Sequence, residues 1–206
     1  LGADTFDGGA GVDTLTYLAH PSANFINVTL NGATPATIIV DGDVNDTVSN
    51  VENIIGTTGN DTITGDFLAN SLQGNDGNDI IRGGAGSDVL DGGLGTDSLR
   101  FDELSVTGVA LDLSAQTAIY ALDGSTDTFS NFENYRTTNQ DDTIIGSANA
   151  DIVDSVGGDD IFVGSAGADD FDGGTGEDTI DYSGFGAGNN ISVTLAGAGT
   201  ATVTVT

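Results

Sequence analysis

The sequence predicts an all-β fold: an elongated parallel β-solenoid of tandem nine-residue repeats with β-strand spacers. Three observations predict it. Glycine and aspartate recur every nine residues through most of the 206-residue chain. An apolar residue follows most of these aspartates by two positions. The segments between the repeat runs alternate apolar and polar residues and are rich in Val, Ile and Thr, the period of a strand with one buried face. No stretch carries helical periodicity.

The repeat is clearest at Gly83-Gly84-Ala85-Gly86-Ser87-Asp88-Val89-Leu90-Asp91, and the unit Gly92 to Arg100 follows without a gap. Further units start at Gly56, Gly65 and Gly74, and a second run has units at Gly146, Ser155, Gly164 and Gly173. A lone unit starts at Gly8, and the tail of another ends at Asp7. Less regular units run from Thr47 to Ile55, Thr128 to Arg136 and Thr137 to Ile145, with Glu52, Glu133 and Asp142 in sixth place. The organisation is then 1–16, the end of a preceding run; 17–46, a β spacer; 47–100, a six-unit run; 101–127, a spacer; 128–181, a second six-unit run; and 182–206, a truncated spacer. The chain reads as a fragment. A longer period overlies the short one. Asp13-Thr14-Leu15 recurs as Asp97-Ser98-Leu99 and Asp178-Thr179-Ile180, and Asp46-Thr47-Val48-Ser49-Asn50 as Asp127-Thr128-Phe129-Ser130-Asn131.

Within the spacers, Val28-Thr29-Leu30, Ala36 to Val40, Leu111-Asp112-Leu113, Ala118 to Leu122, Val193-Thr194-Leu195 and Ala201 to Val205 are expected strands. The glycines and prolines around them mark turns. Tyr17, Phe101 and Tyr182 recur at the module junctions and are expected to pack there.

Charge narrows the function. Thirty-two acidic residues face three arginines, Arg82, Arg100 and Arg136, for a net charge of -29. A compact fold with that charge repels itself unless cations are bound. No basic footprint exists for nucleic acid, and an anionic membrane surface is excluded on the same ground. No apolar run approaches the ~20 residues of a spanning helix. The chain is 37% hydrophobic with its aliphatics at regular positions, unlike disordered acidic tracts. It has no cysteine, so a metal is the expected staple.

The repeat itself points to calcium. Glycines in first, second and fourth place adopt the dihedrals of a tight turn cheaply. Such a turn aims carbonyl oxygens inward, and the sixth residue adds a carboxylate. Calcium takes six to eight oxygen ligands of these two kinds. The apolar eighth residue starts a strand and faces the core: Phe6, Leu15, Ile54, Ile63, Leu72, Ile81, Leu90, Leu99, Ile144, Val153, Phe162, Phe171 and Ile180 hold that place. If successive units alternate sides, unit n lies beside unit n+2, about 4.8 Å away. Two stacked loops then supply each shell.

Catalysis is not expected here. His20, before Pro21, is the single histidine, and a hydrolytic nucleophile needs a positioned base. No HExxH motif or phosphate-binding Gly-Lys-Ser/Thr signature occurs, and paired acids are uninformative in so acidic a chain.

The unit GGxGxDxUx, with U apolar, resembles the RTX nonapeptide, a calcium-binding parallel β-helix repeat. The spacers, opening on Asp-Thr-Leu-x-Tyr and closing on Ser-Asn-x-Glu-Asn, are similar to those of hemolysin-type calcium-binding proteins. The resemblance covers nearly the whole chain and implies a β-roll with calcium ions between loops n and n+2, held by sixth-position aspartates and glycine-turn carbonyls. Carried over, Asp61, Asp79 and Asp97 line one edge of the first run, and Asp142, Asp160 and Asp178 one edge of the second. Glu52, Asn70 and Asp88 fall on the opposite edge of the first run, and Glu133, Asp151 and Asp169 on that of the second. Asp4 and Asp13 belong to the preceding module, and Asp76, third in its turn, is a further candidate. The carbonyl ligands implied are those of Gly8, Gly9, Gly11, Gly59, Gly74, Gly77, Gly83, Gly84, Gly86, Gly92, Gly93 and Gly95 up to the end of the first run. In the second run they are Gly146, Gly157, Gly164, Gly167, Gly173, Gly174 and Gly176.

Departures from the motif weaken some sites. Asn70 replaces the aspartate in a unit lacking the other glycines, so weak or no calcium is expected there. Glu52, Glu133 and Asp142 sit in units without turn glycines, and the unit Ser155 to Val163 keeps glycines only in third and fourth place.

The resemblance implies a bacterial protein exported by type I secretion to the extracellular space or cell surface, folding on calcium outside the cell. Two functions fit. One is a structural segment of a surface-layer, adhesin or matrix-filament protein, with head-to-tail self-association or cell-surface and matrix partners. The alternative is a calcium-dependent folding and secretion domain attached to a secreted enzyme or toxin.

Overall fold

The computed structural model describes residues 3–18, 25–102, 107–184 and 200–204. The turn of His20 and Pro21, the strand expected at Val193-Thr194-Leu195 and the end of the last strand at Val205 lie outside the described residues. Every regular element among the described residues is a β-strand, as the periodicity predicts. Among the described residues no helix is long and apolar enough to cross a membrane.

A nonapeptide spends six residues turning and three as strand. Thr62–Thr64 is typical: Ile63 is buried and the flanking threonines are half-buried. Strands of alternate units pair in parallel, with Ile63 beside Ile81 and Leu72 beside Leu90, an 18-residue step. Successive units enter opposite sheets. Each apolar eighth residue therefore stacks in a column on its own sheet. Ile54, Ile63, Leu72, Ile81, Leu90 and Leu99 are fully buried, and burial of such aliphatic columns is the main apolar stabilisation available here.

The chain divides into two compact units, residues 1–100 with 125–134, and residues 101–124 with 135–206. In the first, one sheet orders Thr5–Asp7, Asp43–Ser49, Ala36–Val40, Ile26–Thr29, Thr62–Thr64, Ile80–Arg82 and Ser98–Arg100. The other orders Thr14–Thr16, Asn53–Ile55, Ser71–Gly77, Val89–Gly95 and Thr126–Ser130. In the second unit, Asn134–Arg136, Ile152–Asp154 and Asp170–Asp172 form one row. Thr117–Tyr120, Val109–Asp112, Thr143–Ile145, Ile161–Val163, Glu177–Asp181 and Thr200–Thr204 form the other.

The spacers extend the sheets. Ile26–Thr29 and Ala36–Val40 pair antiparallel, Ala36–Val40 then pairs antiparallel with Asp43–Ser49, and Ile26–Thr29 runs parallel to Thr62–Thr64. Two reversals restore the original direction, so the repeat resumes in register. In the second unit Val109–Asp112 pairs antiparallel with Thr117–Tyr120 and parallel with Thr143–Ile145. Tyr17 and Phe101 are buried at the junctions, whereas Tyr182 is partly exposed. Phe101 meets Tyr120 edge-on at 6.0 Å.

Four eighth-position residues depart from the expected core. Phe6, Leu15, Phe171 and Ile180 are only half-buried. The strands of Phe6, Leu15 and Phe171 end their rows, with a neighbour on one side, and Ile180 lies where the row holding Phe171 stops. Phe162 and Phe171 still stack, with centroids 5.0 Å apart.

Candidate metal centre

Each turn folds back on its own sixth-position side chain. A Cβ on Gly83 would sit 2.5 Å from Asp88 Oδ2 and 3.1 Å from Asp127 Oδ2, and one on Gly74 would meet Asp79 Oδ2 and, at 2.6 Å, the Gly92 carbonyl oxygen. Glycine in first place thus keeps open a small cradle walled by carboxylate and carbonyl oxygens. Gly56 has the same surroundings, with Asp61 Oδ2 and the Gly74 carbonyl oxygen. Second- and fourth-place glycines carry positive φ where the loops stack, as at Gly84 (92°), Gly86 (114°) and Gly93 (106°).

The carboxylates form ladders. The Asp61 N–H donates to Asp79 Oδ1 at 2.7 Å, and the Asp79 N–H to Asp97 Oδ1 at 2.7 Å. On the opposite edge the Asn70 N–H donates to Asp88 Oδ1 at 2.8 Å. In the second unit Asp142 donates to Asp160, Asp160 to Asp178, and Asp151 to Asp169 in the same way. The pairing of n with n+2 expected from the sequence is therefore built into the backbone.

One oxygen per rung is accounted for by that bond. The second often is not: Oδ2 of Asp13, Asp79, Asp88, Asp97 and Asp160 is buried with no hydrogen-bond partner. Burial pushes Asp79 and Asp160 up to about 7 and Asp88 up to about 8, with neighbouring carboxylates adding to the rise. Asp61, Asp97 and Asp142 are raised by burial as well. A buried anion without a donor is destabilising unless it is paired or bound to metal. An all-oxygen set of carboxylates and carbonyls fits a hard divalent cation, calcium above all. A bound calcium ion would supply the positive charge that holds these groups ionised inside the fold. Among the described residues no three acidic or imidazole side chains converge on one point, so backbone carbonyls would carry much of any shell.

Of the candidates, Asp76 is exposed, and Asp4 is exposed too, although its N–H makes the ladder bond to Asp46 Oδ1 at 3.0 Å. Glu52 and Glu133, in units without turn glycines, also join the ladders: their Oε2 atoms accept the N–H groups of Asp13 at 2.9 Å and Asp97 at 2.8 Å. The reason is a shortened turn. Val48 and Ile54 enter opposite sheets only six residues apart, Asn50 and Asn131 take the left-handed conformation, and the longer glutamate spans the gap.

Sequence reasoning passed over two ladder residues, Asp46 and Asp127. Both are buried, and Asp127 Oδ1 accepts the Asp88 N–H at 2.8 Å. Their signal was the Asp-Thr-apolar triplet at 46–48 and 127–129, shared with Asp61-Thr62-Ile63 and Asp142-Thr143-Ile144. Also passed over were Thr57, Thr138 and Ser147, whose hydroxyls and N–H groups bind Asp61, Asp142 and Asp151.

A comparison with curated proteins finds no match. The model of the RTX calcium-binding nonapeptide repeat matches residues 1–17, 46–67, 68–99, 130–162 and 154–185. These segments hold the carboxylate ladders described above apart from Asp127, and by this match over more than half its length the chain belongs to the RTX calcium-binding nonapeptide repeat family.

Proposed function

We propose that this chain is a calcium-folded structural segment of a bacterial protein exported by type I secretion, of the surface-layer, adhesin or extracellular filament kind, with no catalytic role of its own. The observation that carries the reading is the bond from Asp61 N–H to Asp79 Oδ1 and its repetition along each ladder. The side chains that would bind the ion are the ones that hold alternate repeats in register. Ion binding and strand stacking are then one event, and binding free energy becomes folding free energy. Extracellular calcium modules have dissociation constants on the order of 10⁻⁴–10⁻³ M, so such a segment stays unfolded during export and stiffens outside. Head-to-tail association through strand edges, or docking on cell-surface and matrix partners, belongs to the same reading.

Far-UV circular dichroism during calcium titration of the chelated chain, with magnesium as control, tests this. A cooperative, calcium-specific gain of β signal is expected. A metal-free chain that is already folded, and whose spectrum calcium leaves unchanged, would overturn it.

A further inference from the structure

The turns are of two kinds, and the residue in second place separates them. In the first kind that residue has positive φ: Asn75 (81°), Gly84 (92°), Gly93 (106°) and Val156 (66°). Its N–H is not turned onto the sixth-place carboxylate. Val156 N–H, for instance, donates to Asp154 Oδ1 at 3.1 Å, and Gly174 N–H to Asp172 Oδ1 at 3.0 Å. The sixth-place residues of the four turns named first are Asp79, Asp88, Asp97 and Asp160. Each is at most 1% exposed, and each has an Oδ2 without a partner.

In the second kind the second residue is Thr or Ser without positive φ, and it closes on its own carboxylate. Thr57 N–H donates to Asp61 Oδ2 at 2.6 Å and its hydroxyl to Oδ1 at 2.9 Å. Thr138 does the same to Asp142, at 2.9 Å for both bonds, and Ser147 to Asp151, at 2.7 and 2.8 Å. Such side-chain-to-backbone loops are stable turns without a metal. Spacer amides complete two of them: Ile26 N–H donates to Asp61 Oδ1 at 2.7 Å and Val109 N–H to Asp142 Oδ1 at 2.6 Å. The Asn70 turn is closed too, with Asp66 N–H on Oδ1 at 2.8 Å and the Asn70 amide on the Glu52 carbonyl at 2.9 Å.

We infer that the second residue of each turn decides whether that turn takes a divalent cation. Turns with a left-handed second residue hold calcium: those of Asp79, Asp88, Asp97 and Asp160, and with them those of Asp13 and Asp178, where Gly9 (85°) and Gly174 (74°) take the same conformation. The hydroxyl-closed turns of Asp61, Asp142, Asp151 and Asp169, the last closed by the Ser165 hydroxyl at 3.2 Å, hold none. This rests on the calcium reading above and divides its sites. A closed turn then stands directly after each spacer hairpin, where Asp61 and Asp142 receive the spacer amides. It is a metal-independent first rung on which calcium-dependent rungs stack. It also makes a closed turn recognisable in sequence as Thr or Ser four residues before the aspartate.

The test measures bound calcium by elemental analysis of the dialysed full chain. Asp79→Asn, Asp97→Asn and Asp160→Asn are each expected to lose calcium and to raise the folding midpoint several-fold. Asp61→Asn and Asp142→Asn are expected to keep the full calcium content. Equal losses in both groups overturn the inference. Should a variant fail to fold, crystals of the unmodified chain grown in calcium decide the matter: anomalous density is expected at the Asp79, Asp88, Asp97 and Asp160 turns. Density at the Asp61 or Asp142 turn refutes the division into two kinds. A folded chain with no calcium in either experiment refutes the calcium reading itself, and the division falls with it.

Discussion

The Tyr17 hydroxyl donates a 2.6 Å hydrogen bond to Oδ2 of buried Asp46, whose Oδ1 accepts the Asp4 N–H at 3.0 Å. One carboxylate thus ties the end of the first repeat run to the exit of the spacer. Tyr17→Phe removes the hydroxyl and strips a buried carboxylate oxygen of this donor, a loss of about 1–3 kcal/mol. Thermal unfolding in saturating calcium is expected to show a lower midpoint. An unchanged midpoint would mean that the bond contributes nothing net.

The ladder ranks its rungs. Asp79 has a buried oxygen without a donor, whereas the Asn70 amide is satisfied by Asp66 and Glu52. Asp79→Ala is expected to raise the calcium midpoint of folding well above that of Asn70→Ala, read by circular dichroism. Equal midpoints would count against Asp79 as a ligand.

Glycine substitution separates stacking from backbone strain. Gly93 has φ 106° and its Cβ would collide with the Asn75 carbonyl, while Gly124 has φ 73° and open space around it. Gly124→Ala is expected to destabilise by about 1–2 kcal/mol from the left-handed conformation alone. Gly93→Ala must also push two stacked loops apart and is expected to melt far lower. Similar melting temperatures for the two variants would show that the loops do not stack this closely.

Protons and calcium compete for the same oxygens. Burial raises Asp79 and Asp160 to about 7 and Asp88 to about 8. The metal-free fold binds more protons than the unfolded chain between these values and the ordinary aspartate range. Its stability therefore grows as pH falls through about 8 to about 4 and is lost as pH rises through 7 to 8. Calcium needs the ionised forms. Because protonation stabilises the metal-free fold while the unfolded aspartates stay ionised at both values, the calcium midpoint of folding is expected to be lower at about pH 6 than at about pH 8.5. A midpoint independent of pH would show that these carboxylates do not titrate with binding.

Much of this was legible from residue order. The nine-residue period, the apolar eighth position and the Val/Ile/Thr spacers determine an all-β solenoid, because a six-residue glycine turn followed by one inward side chain has few other ways to bury Ile63, Leu72, Ile81 and Leu90. The pairing of unit n with n+2 and the ladder of Asp61, Asp79 and Asp97 follow from the same period. Sequence spacing placed Glu52 and Glu133 in sixth position but not the shortened turns that carry them to Asp13 and Asp97, and it passed over Asp46 and Asp127, which lie outside the nonapeptide register.

Only the tertiary structure decided which carboxylates are left wanting a partner. Asp61 and Asp79 hold the same place in their repeats and both are buried. Yet Asp61 is closed by Thr57 and the Ile26 amide, and Asp79 keeps an oxygen with no donor. The difference lies in the φ of one turn residue and in which spacer strand arrives alongside. The first follows the local residue, Thr57 against Asn75, whereas the second is set by packing between segments distant in the chain, which local residue order does not encode.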